Sequence, residues 1–207
     1  MTTLSPQDII GRAQAVVARE AQAVQALAGQ FDSGLAPVVD LLLACKGHVL
    51  VTGAGTSAAV AERFAHLLSC CGTPALFISA ANSLHGASGA IRAEDVVFII
   101  SKGGHSAEIN QFADIARGRG ARIIVQTEDP QSPLALKADL VYHIRTVGDV
   151  DPYGMIATGS SLVNAAAGDV LCILLLELRG YTREDFGRTH PGGAVGRKLG
   201  TQKDTNA

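Results

Sequence analysis

The sequence of 207 residues has no tryptophan, and aromatic residues make up only 4% of it. Its core must therefore be assembled from Ala, Val, Leu and Ile. Charge is sparse too: Asp, Glu, Lys and Arg total 17%, and the net charge is −2 with His neutral. No stripe of Lys and Arg interleaved with aromatics runs along the chain, which excludes a dedicated nucleic-acid surface. An anionic ligand would have to be held by a local site and not by a global field. The cysteines, Cys45, Cys70, Cys71 and Cys172, fit neither a zinc site nor a CxxC redox motif. They read as buried free thiols in a reducing cytosol. The opening Met1-Thr2-Thr3-Leu4-Ser5-Pro6 has neither the basic nor the apolar region of a signal peptide. The longest apolar run, Val170 to Leu176, is too short to span a bilayer, so no membrane partner is expected.

What is present is a globular composition with 47% hydrophobic residues and no repeat or long linker, which suits one domain over residues 1–200 with a polar tail at 201–207. Residues 1–47 read as a pair of helices. Ser5-Pro6-Gln7-Asp8 is a helix start, with Ser5 as cap, Pro6 in the first turn and Asp8 closing a capping box. Ile9, Ala13, Val16, Val17, Val24, Leu27 and Phe31 follow at helical spacing. A second helix is expected from Leu35 to Lys46, ended by Gly47.

From His48 the rhythm changes. Strand-like runs at His48–Thr52, Ala75–Ser79, Val96–Ser101, Arg122–Thr127 and Leu140–Arg145 alternate with helical patterns at Ala58–Cys71, Ala107–Arg119 and Ser160–Arg179. The stretch from Ala80 to Asp95 is more loop-like, and a short helix is expected over Pro133–Ala138. Runs such as Val96-Val97-Phe98-Ile99-Ile100 are apolar on consecutive positions, as burial on both faces requires. The predicted fold is α/β: a three-layer sandwich whose five-stranded parallel sheet has the flavodoxin-like order 2-1-3-4-5.

In such sheets ligands bind past the carboxyl ends of the strands. Three loops there carry chemistry. Gly53-Ala54-Gly55-Thr56-Ser57-Ala58 is a Gly-rich turn into a helix, whose free N–H groups suit an anion. Read as GxGxxA, it lacks the acid at the end of the second strand that would hold a dinucleotide ribose. Ser101-Lys102-Gly103-Gly104-His105-Ser106 repeats the theme, with Ser101 and Ser106 hydroxyls, Gly103 and Gly104 amides and the Lys102 charge. Thr158-Gly159-Ser160-Ser161 opens the long helix; Thr158, Ser160 and Ser161 either cap it or bind a phosphate. The Walker pattern is absent, which disfavours nucleoside triphosphates. The site residues expected to hold the ligand are thus Gly55, Thr56, Ser57, Ser101, Lys102, Gly103, Gly104, Ser106, Thr158, Ser160 and Ser161.

These loops, with Gly180-Tyr181-Thr182-Arg183-Glu184-Asp185-Phe186 and His190-Pro191-Gly192-Gly193-Ala194-Val195-Gly196-Arg197, resemble the sugar isomerase (SIS) domain family, closest to its arabinose-5-phosphate isomerase branch. The C-terminal run is similar to the family's G-[FY]-T-x-E-D-F…H-P-G-G-A-L-G-R pattern, and Leu84-His85-Gly86 to its A-H-G segment. The resemblance covers about Cys45 to Leu199. It implies a five-stranded sandwich, homo-oligomeric and usually tetrameric, with active sites completed across subunits. It also implies an isomerase without cofactor and, the chain ending before any CBS pair, without nucleotide control. The sequence departs from the branch in its loops: Thr56 stands for Lys, Lys102 for Asn, Gly103 for Ser, His105 for Glu, and Asp149 for a Glu. The positive charge has moved from one loop to its neighbour, pointing to a different sugar.

Aldose–ketose isomerisation needs a base beside the carbonyl, a group to polarise it and an acid/base for ring opening. Histidine suits this near neutrality. The expected candidates are His190 first, then His85, His105 and Asp149, with the three histidines bordering the pocket. No HxxxH-type spacing supports a metal site. His48, His66 and His143 read as structural. Two alternatives stay open: a non-catalytic sensor of sugar phosphates, and a dinucleotide-dependent oxidoreductase.

Overall fold

The structure is a computed structural model and describes residues 4–200. Five parallel strands, β1 (Val49–Gly53), β2 (Ala75–Phe77), β3 (Val96–Ile100), β4 (Arg122–Thr127) and β5 (Leu140–His143), form one sheet. Their order is β2-β1-β3-β4-β5, as the alternation of elements predicts. The period of two along each strand sorts its side chains between two cores. Val49, Val51, Val96, Phe98, Ile100 and Ile124 face one side, and Leu50, Val97, Ile99, Ile123 and Val125 the other.

The first core is covered by α1 (Pro6–Ala26), α2 (Leu35–Ala44), α3 (Thr56–Cys70) and α6 (Thr158–Arg179). The second is covered by α4 (Ala80–Ser83) and α5 (Ala107–Gly118). Two short helices, α7 (Arg183–Thr189) and α8 (Gly193–Gly200), complete the described residues. The capping box at Ser5 and Asp8 is formed as expected, with each residue's N–H donating to the other's side chain.

Several boundaries differ from expectation. Helix α2 stops at Ala44 because Gly47 has already turned to the sheet, where its N–H donates to the Glu94 carbonyl at 2.9 Å. The short helix expected over Pro133–Ala138 shrinks to a single 3-10 turn at Ala135–Lys137. Helix α6 begins two residues before Ser160, and its 22 residues are long and apolar enough to cross a bilayer by length and composition. Here Val163, Ala167, Leu171 and Leu175 of α6 are buried in the first core, while Ile173 points outward at 52% exposure. Only Cys172 is a fully buried thiol; Cys45, Cys70 and Cys71 are half-buried, with Cys45 and Cys71 packed against the first core. Burial pushes the pKa of Cys45, Cys71 and Cys172 up. The tail at 201–207 lies outside the described residues.

The apolar stripe of α1 divides in two. Leu27 is buried and Val24 and Phe31 pack on the core, but Ile9, Val16 and Val17 are 55%, 40% and 66% exposed.

Candidate functional site

Strand β1 pairs with β3 so that Gly53 stands beside Ile100, the last residue of each. The chain leaves β1 for α3 over the first core and leaves β3 for α5 over the second. The two loops therefore part at the carboxyl edge, which is the switch point of an open parallel sheet.

Glycine makes both loops possible. Gly55, with φ +56, is the residue before α3, and that left-handed backbone favours a residue without Cβ. Gly104, with φ +69, sits where a Cβ would collide with the Ser132 side chain. Ser132 cannot swing aside: it is buried and its hydroxyl donates to the Asp129 carbonyl at 2.8 Å. Gly104→Ala is therefore expected to lower stability by about 2–4 kcal/mol, through strain and overpacking together. Urea unfolding measures it, and a loss under about 1 kcal/mol would mean that the loop relaxes freely. The loop is tied further by the Gly104 N–H donating to Ser101 Oγ at 3.2 Å and by Asn110 Nδ2 donating to the Gly104 carbonyl at 3.0 Å.

Three long helices, α3, α5 and α6, start at this edge, and none has a side-chain cap at its amino end. By contrast α1, α4 and α7 are capped by Ser5, Ser79 and Thr182. The choice left open for Thr158, Ser160 and Ser161 falls against capping. The cap position is Ala157, and the Ser161 hydroxyl donates to the Thr158 carbonyl at 2.8 Å. Some first-turn amides are taken by backbone carbonyls, Ser57 by Ala54, Ala58 by Gly55 and Thr158 by Ile156, but the positive ends of three helix dipoles still meet at this edge, an arrangement that attracts an anion.

Thr56 and Ser161 line one groove of about 730 Å3, walled by α1, α3 and α6. Two turns further along α3 and α6, Arg63 and Asp169 line it too, joined by paired hydrogen bonds of 2.7 and 2.9 Å. The hydrogen bonds that Arg63 donates to the Asp169 carboxylate push its pKa up. Sequence reasoning missed this pair; Arg63 follows Thr56 by seven and Asp169 follows Ser161 by eight, so the spacing along each helix face was the available signal. Helix α6 is held to the sheet by buried Gln126, whose Nε2 donates to Asn164 Oδ1 at 2.9 Å.

The other expected residues are placed as follows. Ser101 is buried at the end of β3, and Lys102 and Gly103 are exposed in the same loop. His105 is exposed there, with Nε2 3.7 Å from Asp129 Oδ2. His85 is exposed in the connection after α4, and Asp149 is exposed in the loop leading to α6. His190 does not border these loops within one protomer. Its Nε2 lies 3.4 Å from the Sγ of Cys70, the last residue of α3. Thr56 is the first residue of that helix, so the imidazole sits about 20 Å from the switch-point edge at 1.5 Å rise per residue.

Residues 42–174 match the model of the SIS domain. The chain belongs to the SIS domain family. It is 38% identical to arabinose 5-phosphate isomerase KdsD of Pseudomonas aeruginosa over 93% of the chain, which spans 59% of that relative's length. Among solved structures, an Escherichia coli CFT073 protein, c3406, in complex with arabinose 5-phosphate has a TM-score of 0.88 at 31% identity, covering 91% of this chain and 100% of that one. A Listeria monocytogenes protein described as a candidate sugar-phosphate isomerase also reaches 0.88, at 30% identity over 92% of this chain and 100% of its own. Membership of the family accounts for the sheet order. Among the described residues, no cluster of His, Cys, Asp and Glu is arranged to hold a metal ion.

Proposed function

We propose that this SIS domain, over residues 1–200, is a cytosolic aldose–ketose isomerase acting on a small phosphorylated sugar through an enediol. One observation carries the reading: α3, α5 and α6 begin at one edge of the sheet without side-chain caps, beside loops rich in Ser, Thr and Gly. A phosphate there accepts hydrogen bonds from helix amides and from the hydroxyls of Thr56, Ser57, Ser101, Ser106, Thr158, Ser160 and Ser161. Gly55, Gly103 and Gly104 let the backbone approach, and Lys102 adds charge. The name of the Pseudomonas relative and the sugar phosphate bound to the Escherichia coli protein agree with this substrate class.

With the phosphate anchored, His85, His105 and Asp149 stand on loops of the same edge to open the ring and carry the proton between adjacent carbons. His190 serves a neighbouring protomer. Its distance from the edge of its own sheet favours an oligomer with shared sites, as does the exposed half of the α1 stripe, which finds no cover in one chain.

The test is to incubate the protein with tetrose to heptose phosphates in deuterium oxide and follow them by NMR. Isomerisation with deuterium entering at the carbon beside the carbonyl is the expected result. Saturable binding without exchange for any sugar in the panel would replace the enzyme with a sensor.

A further inference from the structure

The imidazole of His190 is held on three sides. Its ring stacks on Phe186, with centroids 3.8 Å apart and planes inclined by 16°. Its Nδ1 lies 2.9 Å from the Phe186 carbonyl oxygen and 3.0 Å from Thr189 Oγ1. The Thr189 hydroxyl itself donates to that carbonyl at 3.0 Å. A carbonyl oxygen only accepts, so Nδ1 carries a hydrogen, and in the neutral ring Nε2 keeps its lone pair. At Nε2 stands Cys70 Sγ, 3.4 Å away. On the other side of the sulfur, 3.6 Å off, is Nε2 of His66, one turn back on the same face of α3.

We propose that Cys70 is a positioning residue that aims His190 Nε2 for proton transfer; this rests on the reading of His190 as a catalytic group. The thiol has one hydrogen. With Nδ1 of His190 protonated, that hydrogen points to His190 Nε2, and His66 donates to the sulfur. A chain of two hydrogen bonds thus fixes the one ring nitrogen that neither Phe186 nor Thr189 touches. The sulfur hydrogen bond is weak and long, so the Nε2 lone pair keeps room for a substrate hydroxyl while the thiol still orients the ring. The platform is rigid: Cys70 ends a helix whose Phe64, Ala65 and Leu68 are buried in the core.

Steady-state kinetics of Cys70→Ala, Cys70→Ser and His190→Ala, on the sugar that the wild type isomerises, test the idea. Cys70→Ala is expected to lower kcat about three- to tenfold with KM within about twofold, the size of one lost hydrogen bond to the reacting group. Cys70→Ser keeps a donor at nearly the same place and is expected to recover kcat to within about twofold of wild type. Equal melting temperatures exclude a folding defect as the cause. The proposal is overturned by wild-type kcat in Cys70→Ala, by serine doing no better than alanine, or by a loss lying wholly in KM. The two readings fail separately. Full turnover in His190→Ala removes His190 from the chemistry and this inference with it. A crippled His190→Ala beside an unaffected Cys70→Ala removes the role of Cys70 alone.

Discussion

His190→Ala is expected to bind the sugar phosphate as wild type does and to lose about 10²- to 10⁴-fold in kcat, the usual contribution of a positioned acid or base. Binding survives because the proposed phosphate site lies at the amino ends of α3, α5 and α6, whereas His190 lies at the far end of α3 in its own protomer. The same geometry makes a second expectation of this variant. If His190 works in a neighbour's site, mixing His190→Ala protomers with His85→Ala protomers creates hybrid oligomers in which some sites hold both native histidines. Activity then returns on mixing two inactive proteins. No recovery, with subunit exchange demonstrated by a tagged copy, would place both histidines in sites built from one chain. Binding measured by calorimetry and turnover measured by NMR separate the two effects, so a loss of affinity equal to the loss of turnover would count against a chemical role.

How much of this was legible in the residues depends on how local each signal is. That the central strands are buried on both faces of a parallel sheet follows from runs that are apolar on consecutive positions, a property of five or six neighbouring residues. The loop after β3 follows from glycines whose need is local as well, since Gly104 takes a positive φ. The capping box at Ser5 could be read from three residues. The meeting of Cys70 with His190 could not, because the two are 120 positions apart and the contact depends on where α7 returns over the end of α3. Of the Arg63–Asp169 pair, 106 positions apart, only each residue's place on its own helix face was legible, since their meeting depends on the register of α3 against α6. His66 read as structural because it lies inside a helical pattern, and only the return of the chain brings its sulfur neighbour to a second imidazole.

That register rests on one aromatic ring, and removing it is expected to produce the largest loss of stability. Phe64 on α3 is 1% exposed. Its ring meets Phe98 of β3 edge-on at 5.0 Å, and Phe98 meets Tyr142 of β5 at 6.5 Å. On its other side Phe64 covers Gly168 of α6, where a Cβ would stand 3.0 Å from the ring. Contrary to the expectation of a core built from Ala, Val, Leu and Ile alone, the few aromatic rings are at its centre; they fill the layer between α3, α6 and the sheet, and the missing Cβ at Gly168 lets the two helices close on them. Phe64→Ala removes the ring and leaves a cavity that rigid helices fill poorly, at a cost of about 3–5 kcal/mol. Against a total of about 5–15 kcal/mol, that is enough to bring unfolding near ordinary temperatures. Phe64→Leu keeps most of the volume and is expected to cost about half as much or less. Urea unfolding gives both values. The site should feel the alanine variant as well, because the spacing of Thr56 and Ser161 across the groove is set by the packing of α3 on α6. Where the variant still folds, KM for the sugar phosphate should rise more than kcat falls, since the helix ends proposed to bind phosphate move while no acid or base is removed. A cost below about 1 kcal/mol would mean that the register of the two helices is fixed elsewhere, with the Arg63–Asp169 pair and the Gln126–Asn164 hydrogen bond the next contacts to remove.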